Sequence, residues 1–137
     1  MAEFDSYLDE KRYDKLLRHL GSDVGARQRF VGDFLSMWQG RVQRLEAALD
    51  LPVLEDADVV LLSIRSSSVM VGALRLEGVG GLLHAAIKRG DREEARKHLP
   101  LLREVGAATC ERLRALQREE LARSGAVVSV QRGLTAI

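Results

Sequence analysis

Cysteine is almost missing from this sequence. Cys110 stands alone, which excludes an internal disulfide framework and suits a reducing cytoplasm. A single thiol of this kind reads as packing, with no catalytic partner implied. Proline occurs twice and aromatic residues fill 4% of 137 positions, too few for a sheet of short strands, so helices are expected. An excess of either charge is also lacking: 21 basic and 20 acidic side chains leave +1. No strong field therefore selects nucleic acid or a membrane surface as partner. No apolar run reaches the roughly 18 residues of a spanning helix, and the acidic N-terminus does not read as a signal peptide. A cytoplasmic protein is expected. Fixed-period repeats and low-complexity tracts are absent too.

What is present is a chain 46% hydrophobic and 30% charged, long enough for one domain with a single core. After a loose lead-in over residues 1–8, Asp9 is placed to cap a short helix through Leu20, with Leu16, Leu17 and Leu20 inward. Gly21 stops it, and Ser22-Asp23 can cap the next. A long helix follows from about Val24 to Asp50. Its stripe of Val31, Phe34, Leu35, Trp38, Val42, Leu45 and Leu49, widened by Phe30 and Met37, should supply most of the core. Gly32 and Gly40 are expected to mark close helix contacts.

Pro52 suits the first turn of a third helix, whose early turns carry Glu55, Asp56 and Asp58. That acidic group has no histidine at ligand spacing, so no metal or other cofactor is expected. After Gly72 a fourth helix runs from Ala73 to about Lys88, with Leu76, Val79, Gly80, Leu83 and Ile87 inward. Its Glu77-Gly-Val-Gly-Gly stretch has no preceding strand and no following Lys-Ser/Thr, which excludes a phosphate loop. Gly90 and Asp91 mark a stop and a restart. The last helix, kinked at Pro100, is expected to end near Ser124 with Gly125 as its stop. The division is then a bundle over 1–124 and a tail over 125–137, whose mild hydrophobicity suits a short strand, a packed arm or a homodimer contact. Short connections make neighbouring helices antiparallel. The fold class is all-α: an up-and-down four-helix bundle with a short additional N-terminal helix.

The stretch from Val59 to Ala73, VVLLSIRSSSVMVGA, carries the functional signal. Ala57, Leu61, Ile64, Ser68 and Val71 recur at intervals of four and three, forming one stripe fit for close packing. The opposite stripe holds Asp58, Leu62, Arg65, Ser66 and Val69. A solvent-facing stripe is normally polar, yet Leu62 and Val69, flanked by Val59, are not. The pattern resembles the signature of histidine-containing phosphotransfer (HPt) domains, His-x-Leu-Lys-Gly-Ser-Ser-x-x-x-Gly-Ala. Aligned without gaps, its Leu falls on Ile64, its Lys on Arg65, its Gly on Ser66, its Ser pair on Ser67 and Ser68, and its Gly-Ala on Gly72 and Ala73. The signature histidine falls on Leu62.

The resemblance covers about residues 8–122 and implies the same bundle fold. It also implies phosphorelay signalling, with a receiver domain or a histidine kinase as partner. An acceptor must be a nucleophile held outward on a rigid helix, and leucine has no lone pair to offer. Arg65 keeps the cation one turn later, where it would face an acidic receiver pocket or a phosphoryl group. The expected function is therefore a pseudo-HPt: not an enzyme, but a module that docks a partner through Val59, Leu62, Arg65, Ser66 and Val69 without accepting phosphate. Two other readings stand beside it. One is active phosphotransfer through His19, His84 or His98. The other is a non-signalling helical scaffold or dimerisation protein.

Overall fold

The computed structural model describes residues 8–19 and 24–136, except for the side chains of Ser124–Ala136 and of seven positions in the first two helices. Among the described residues five helices follow one another: α1 (Glu10–His19), α2 (Val24–Ala48), α3 (Glu55–Met70), α4 (Leu74–Lys88) and α5 (Arg92–Ala136). The last four form an antiparallel bundle in which α3 packs on α2 and α4, α5 closes against α4 and α2, and α1 lies on α3.

Each junction has a local cause. Asp9 Oδ1 accepts from the amides of Lys11 and Arg12, at 3.0 and 3.3 Å, satisfying donors that the start of α1 leaves free. The Asp9 amide donates to the carbonyl of Gly72 at 2.6 Å, which ties α1 to the far end of α3. Gly72 itself has a φ of +76°. With the amides of Gly72 and Ala73 bonded to the carbonyls of Val69 and Ser68, the turn is a Schellman motif that stops α3 and reverses the chain. Gly90 repeats the device between α4 and α5, at a φ of +74°. Asp91 Oδ1 then accepts from the Glu94 amide at 3.1 Å and caps α5.

The core is one cluster along the bundle axis. Leu45 and Leu49 of α2 and its C-terminal end meet Leu61, Ile64 and Val71, then Leu76 and Leu83, and Leu102, Val105 and Leu113 of α5. Fully burying an aliphatic side chain of this size contributes about 1.5–3 kcal/mol, so the stripe drives the assembly. Two buried hydroxyls spend their hydrogen bonds within their own helices, Ser68 on the Ile64 carbonyl at 2.6 Å and Thr109 on that of Val105 at 2.8 Å.

Several expectations are corrected. Met37 lies exposed and takes no part in the α2 core stripe, while Phe30 and Leu35 pack only partly buried at its edge. A methyl group on Gly32 or Gly40 would meet nothing within 4 Å, so neither marks a close helix contact. That role belongs to Gly106, against Trp38. Pro52 precedes α3 and is not in its first turn. Leu8 is buried in the core and does not belong to a loose lead-in. Most substantially, the last helix does not stop at Gly125 but continues to Ala136. A helical glycine costs roughly 0.5–1 kcal/mol relative to alanine, too little alone to end a helix. The stops after α3 and α4 come with the left-handed turn that Gly72 and Gly90 adopt. The boundary expected between a bundle over 1–124 and a tail over 125–137 therefore falls inside continuous helix, and the strand considered for that tail does not form. Gln117 and Gln28 pair side chain to carbonyl at 3.1 Å near the start of α2, so the final turns of α5 run on past that helix. Residues 1–7, Leu20 to Asp23 and Ile137 lie outside the described residues, as do the side chains of Leu16, Leu17 and His19.

Candidate functional site

The two stripes of α3 separate cleanly. Ala57, Leu61, Ile64, Ser68 and Val71 are all essentially inaccessible, while Leu62 is 56%, Val59 48% and Val69 38% exposed. Ser66 and Met70 are exposed beside them. A helix of alternating three- and four-residue spacing can do this only if one face is packed and the other is bare. The apolar outer stripe therefore stands in solvent, with Leu62 near its middle.

Arg65 does not stand free on that face. Its Nε and Nη2 donate to Glu77 Oε1 of α4 at 2.9 and 2.8 Å, and its Nη1 lies 2.9 Å from Nδ1 of His84. The side chain runs over a bed of glycine. A Cβ on Gly80 would come within 3.0 Å of Arg65 Cγ, and one on Gly81 within 3.7 Å of Nη2. Of Gly78, Gly80 and Gly81, only Gly80 is explained by this close approach, since a Cβ on Gly81 would make an ordinary contact. Five N–H donors belong to a guanidinium, and these bonds leave one on each terminal nitrogen for another acceptor.

His84 completes the arrangement. It is 6% exposed, and its Nε2 lies 2.5 Å from Asp58 Oδ1, with Lys88 Nζ 3.9 Å from the same oxygen. Asp58 and Arg65 are seven residues apart on α3, and Glu77 and His84 seven apart on α4. Antiparallel packing brings the first pair onto the second, so four polar groups from two helices interlock under the edge of the Leu62 face. The individual residues were visible in the sequence, but their pairing was not. The matching seven-residue spacings on adjacent antiparallel helices are the signal that could have found it.

The other histidines are placed differently. His98 sits on α5, with Nε2 3.3 Å from Glu94 Oε1. The His19 side chain lies outside the described residues. Both ring nitrogens of His84 are engaged, so it offers no lone pair to an incoming phosphoryl group. Cys110 is buried at the base of an open groove of about 970 Å³ between α2 and α5, where Trp38 and Val42 form the floor and Arg103, Arg114 and Arg118 the rim. Burial pushes its thiol up from the ordinary range, with Arg114 pulling weakly the other way. Among the described residues no cluster of His, Cys, Asp and Glu could hold a metal, and no helix is long and apolar enough to cross a membrane.

No family model matches this chain, and no curated protein matches it by sequence. Solved structures do match in shape. The histidine-containing phosphotransfer protein ZmHP2 from maize superimposes with a TM-score of 0.74 at 19% identity, over 85% of this chain and 86% of the maize chain. A rice protein classed with it gives a TM-score of 0.68 at 17% identity, over 83% and 84% of the two chains. On that extent of superposition, the chain has the fold of the histidine-containing phosphotransfer proteins.

Proposed function

We propose that this protein is a phosphorelay docking module, a pseudo-HPt that binds a receiver domain or histidine kinase without taking phosphate from it. The observation that carries this reading is the exposure of Leu62, a side chain without a nucleophilic atom, at the position where the resembled signature has its acceptor. A bare leucine on a helix face is costly to leave in water and profitable to cover. Val59, Val69 and Ser66 extend the contact surface, and the two unused N–H groups of Arg65 suit an acidic partner at its edge. The partner is protein; the even charge balance does not favour nucleic acid. The proposed protein is not an enzyme and works in the cytoplasm.

The test is binding to receiver domains and kinase phosphotransfer domains, read by titration calorimetry. Leu62→Asp and Arg65→Glu should each weaken binding by about tenfold or more, the loss expected at the centre of an interface, while circular dichroism stays unchanged. If both variants bind as the parent does, the docking face is elsewhere. Incubation with a phosphorylated receiver should leave no acid-labile label on the protein; label on His19 or His98 would overturn the pseudo-HPt reading. A tight homodimer by sizing, with no receiver or kinase retained, would replace it with a scaffold.

A further inference from the structure

The protonation state of His84 is legible in its hydrogen bonds. Arginine can only donate, so Nδ1 of His84 accepts from Arg65 Nη1 at 2.9 Å. An accepting ring nitrogen carries no proton, which puts the single ring hydrogen on Nε2, where it is donated to Asp58 Oδ1 at 2.5 Å. The bonding as it stands requires a neutral imidazole.

We propose that His84 is a proton-operated latch on Arg65, holding the guanidinium down on α4 when neutral and releasing its Nη1 edge toward the Leu62 face when protonated. The inference rests on reading that face as a docking surface, and it deepens that reading by naming what sets the charge displayed there. The step is a simple one. A proton from solvent bonds to the Nδ1 lone pair, and the Nη1–H···Nδ1 hydrogen bond breaks, because two cations would otherwise meet donor to donor. The Nε2–H bond to Asp58 survives and becomes charge-assisted. Glu77 still holds Nε and Nη2, so Arg65 pivots at its retained pair and stays on the helix.

The surroundings suit this role. The charged groups about the ring are Asp58 and Arg65 on α3, and Glu77 and Lys88 on α4. On the flanking helices, Arg44 of α2 pairs with Asp56, Arg96 of α5 with Asp50, and Arg103 of α5 with Glu46. The ring is buried, but the Asp58 side chain against it is 40% exposed, so solvent reaches the edge of the network. Imidazole is the side chain whose charge changes most readily across the physiological range. Gly80 leaves room for the latched arginine, since a methyl group there would come within 3.0 Å of Arg65 Cγ. Protonation adds one charge at the ring and frees a guanidinium edge, so an acidic partner surface binds the protonated form more tightly. By linkage, such a partner in turn favours proton uptake.

The experiment is nitrogen-15 NMR of the full chain between about pH 8 and about pH 5, the window in which imidazoles titrate. At the upper end the His84 ring should be in its Nε2–H form. As the pH falls, the Arg65 Nη1 signal should move in one step with the His84 ring signals while its Nε signal, held by Glu77, moves little. An Nδ1–H ring at the upper end, or an Arg65 Nη1 signal that ignores the titration, overturns the latch. His84→Asn places a carbonyl oxygen near the position of Nδ1 and cannot take a proton, so the Arg65 signals should become flat across the window. Movement that persists in that variant also overturns the proposal. Affinity for an isolated receiver domain should rise several-fold on acidification for the parent and stay flat for His84→Asn. The two readings fail separately. A receiver that binds at no pH, with the NMR step intact, sinks the docking face and upholds the latch; pH-independent binding with a motionless Arg65 does the reverse.

Discussion

The indole of Trp38 occupies the space where residue 106 would carry a side chain. A Cβ built on Gly106 would fall 1.8 Å from Trp38 Cζ2, far inside any real contact, and the ring atoms there belong to a rigid bicycle that cannot bend away. Trp38 also stacks on Phe34, with ring centroids 6.4 Å apart and planes 16° from parallel, which blocks retreat along α2. The α2–α5 contact is thus set by one glycine and one large aromatic residue. Gly106→Ala should destabilise the fold by about 1–3 kcal/mol, the usual cost of overpacking, despite alanine's better helix propensity. Urea denaturation measures it. Combining it with Trp38→Leu, which removes the obstructing ring, should make the alanine harmless or favourable, and a double-mutant cycle showing no coupling would refute the account.

Periodicity made the bundle readable because each helix buries one stripe. Leu61, Ile64, Leu76, Leu83 and Leu45 all lie where spacing places them, and Gly72 and Gly90 stop helices as expected because both reach positive φ. Two kinds of fact stayed hidden. The first is glycine meaning: Gly32 and Gly106 look alike in a helical sequence, and only the neighbouring helix decides that one is essential to packing and the other is not. The second is pairing across helices. Arg65 reads as a solvent-facing cation from its own helix, and becomes a tethered one only when Glu77 and His84 are brought opposite by the turn at Gly72. The exposed stripe around Leu62 was legible, since it needed only the register of α3 against a core already identified.

Cys110 gives a prediction with a definite sign. Its thiol is buried and raised, chiefly by desolvation of the thiolate, against a weak opposing pull from Arg114. Below the ordinary thiol range, about 8.5, folded and unfolded chains both hold the proton, so this group contributes no pH dependence. Above it the unfolded thiol ionises while the folded one does not, so stability falls as pH rises through that range. Denaturation midpoints measured just below and just above about pH 8.5 should separate for the parent and separate less for Cys110→Ala. Iodoacetamide should label the native protein far more slowly than the urea-unfolded chain, because the nucleophile is the thiolate and its sulfur is covered. Equal labelling rates would show that the groove between α2 and α5 opens readily enough to expose the sulfur.

Leu62→His, made together with Ser66→Gly, should turn the proposed docking module into an acceptor. The reasoning runs through what the substitution has to supply. The backbone at position 62 already faces outward on a helix anchored by a core stripe one face away, so an imidazole there would be presented to solvent. Removing the Ser66 side chain clears space one turn on for an approaching partner. The neighbouring cation is present but tethered, with one N–H on each terminal nitrogen of Arg65 still unused. Phosphoryl transfer needs the nucleophile in line and held to within about 0.5 Å, which a packed helix supplies better than a loop. The expected result is an acid-labile, base-stable label on the double variant after mixing with a phosphorylated receiver, and none on the parent. The label should increase further in Glu77→Gln, which weakens the hold on Arg65 and lets the guanidinium swing toward the new phosphoryl group. A double variant that binds receiver but stays unlabelled would mean that the helix, though exposed, does not meet its partner along the line of transfer.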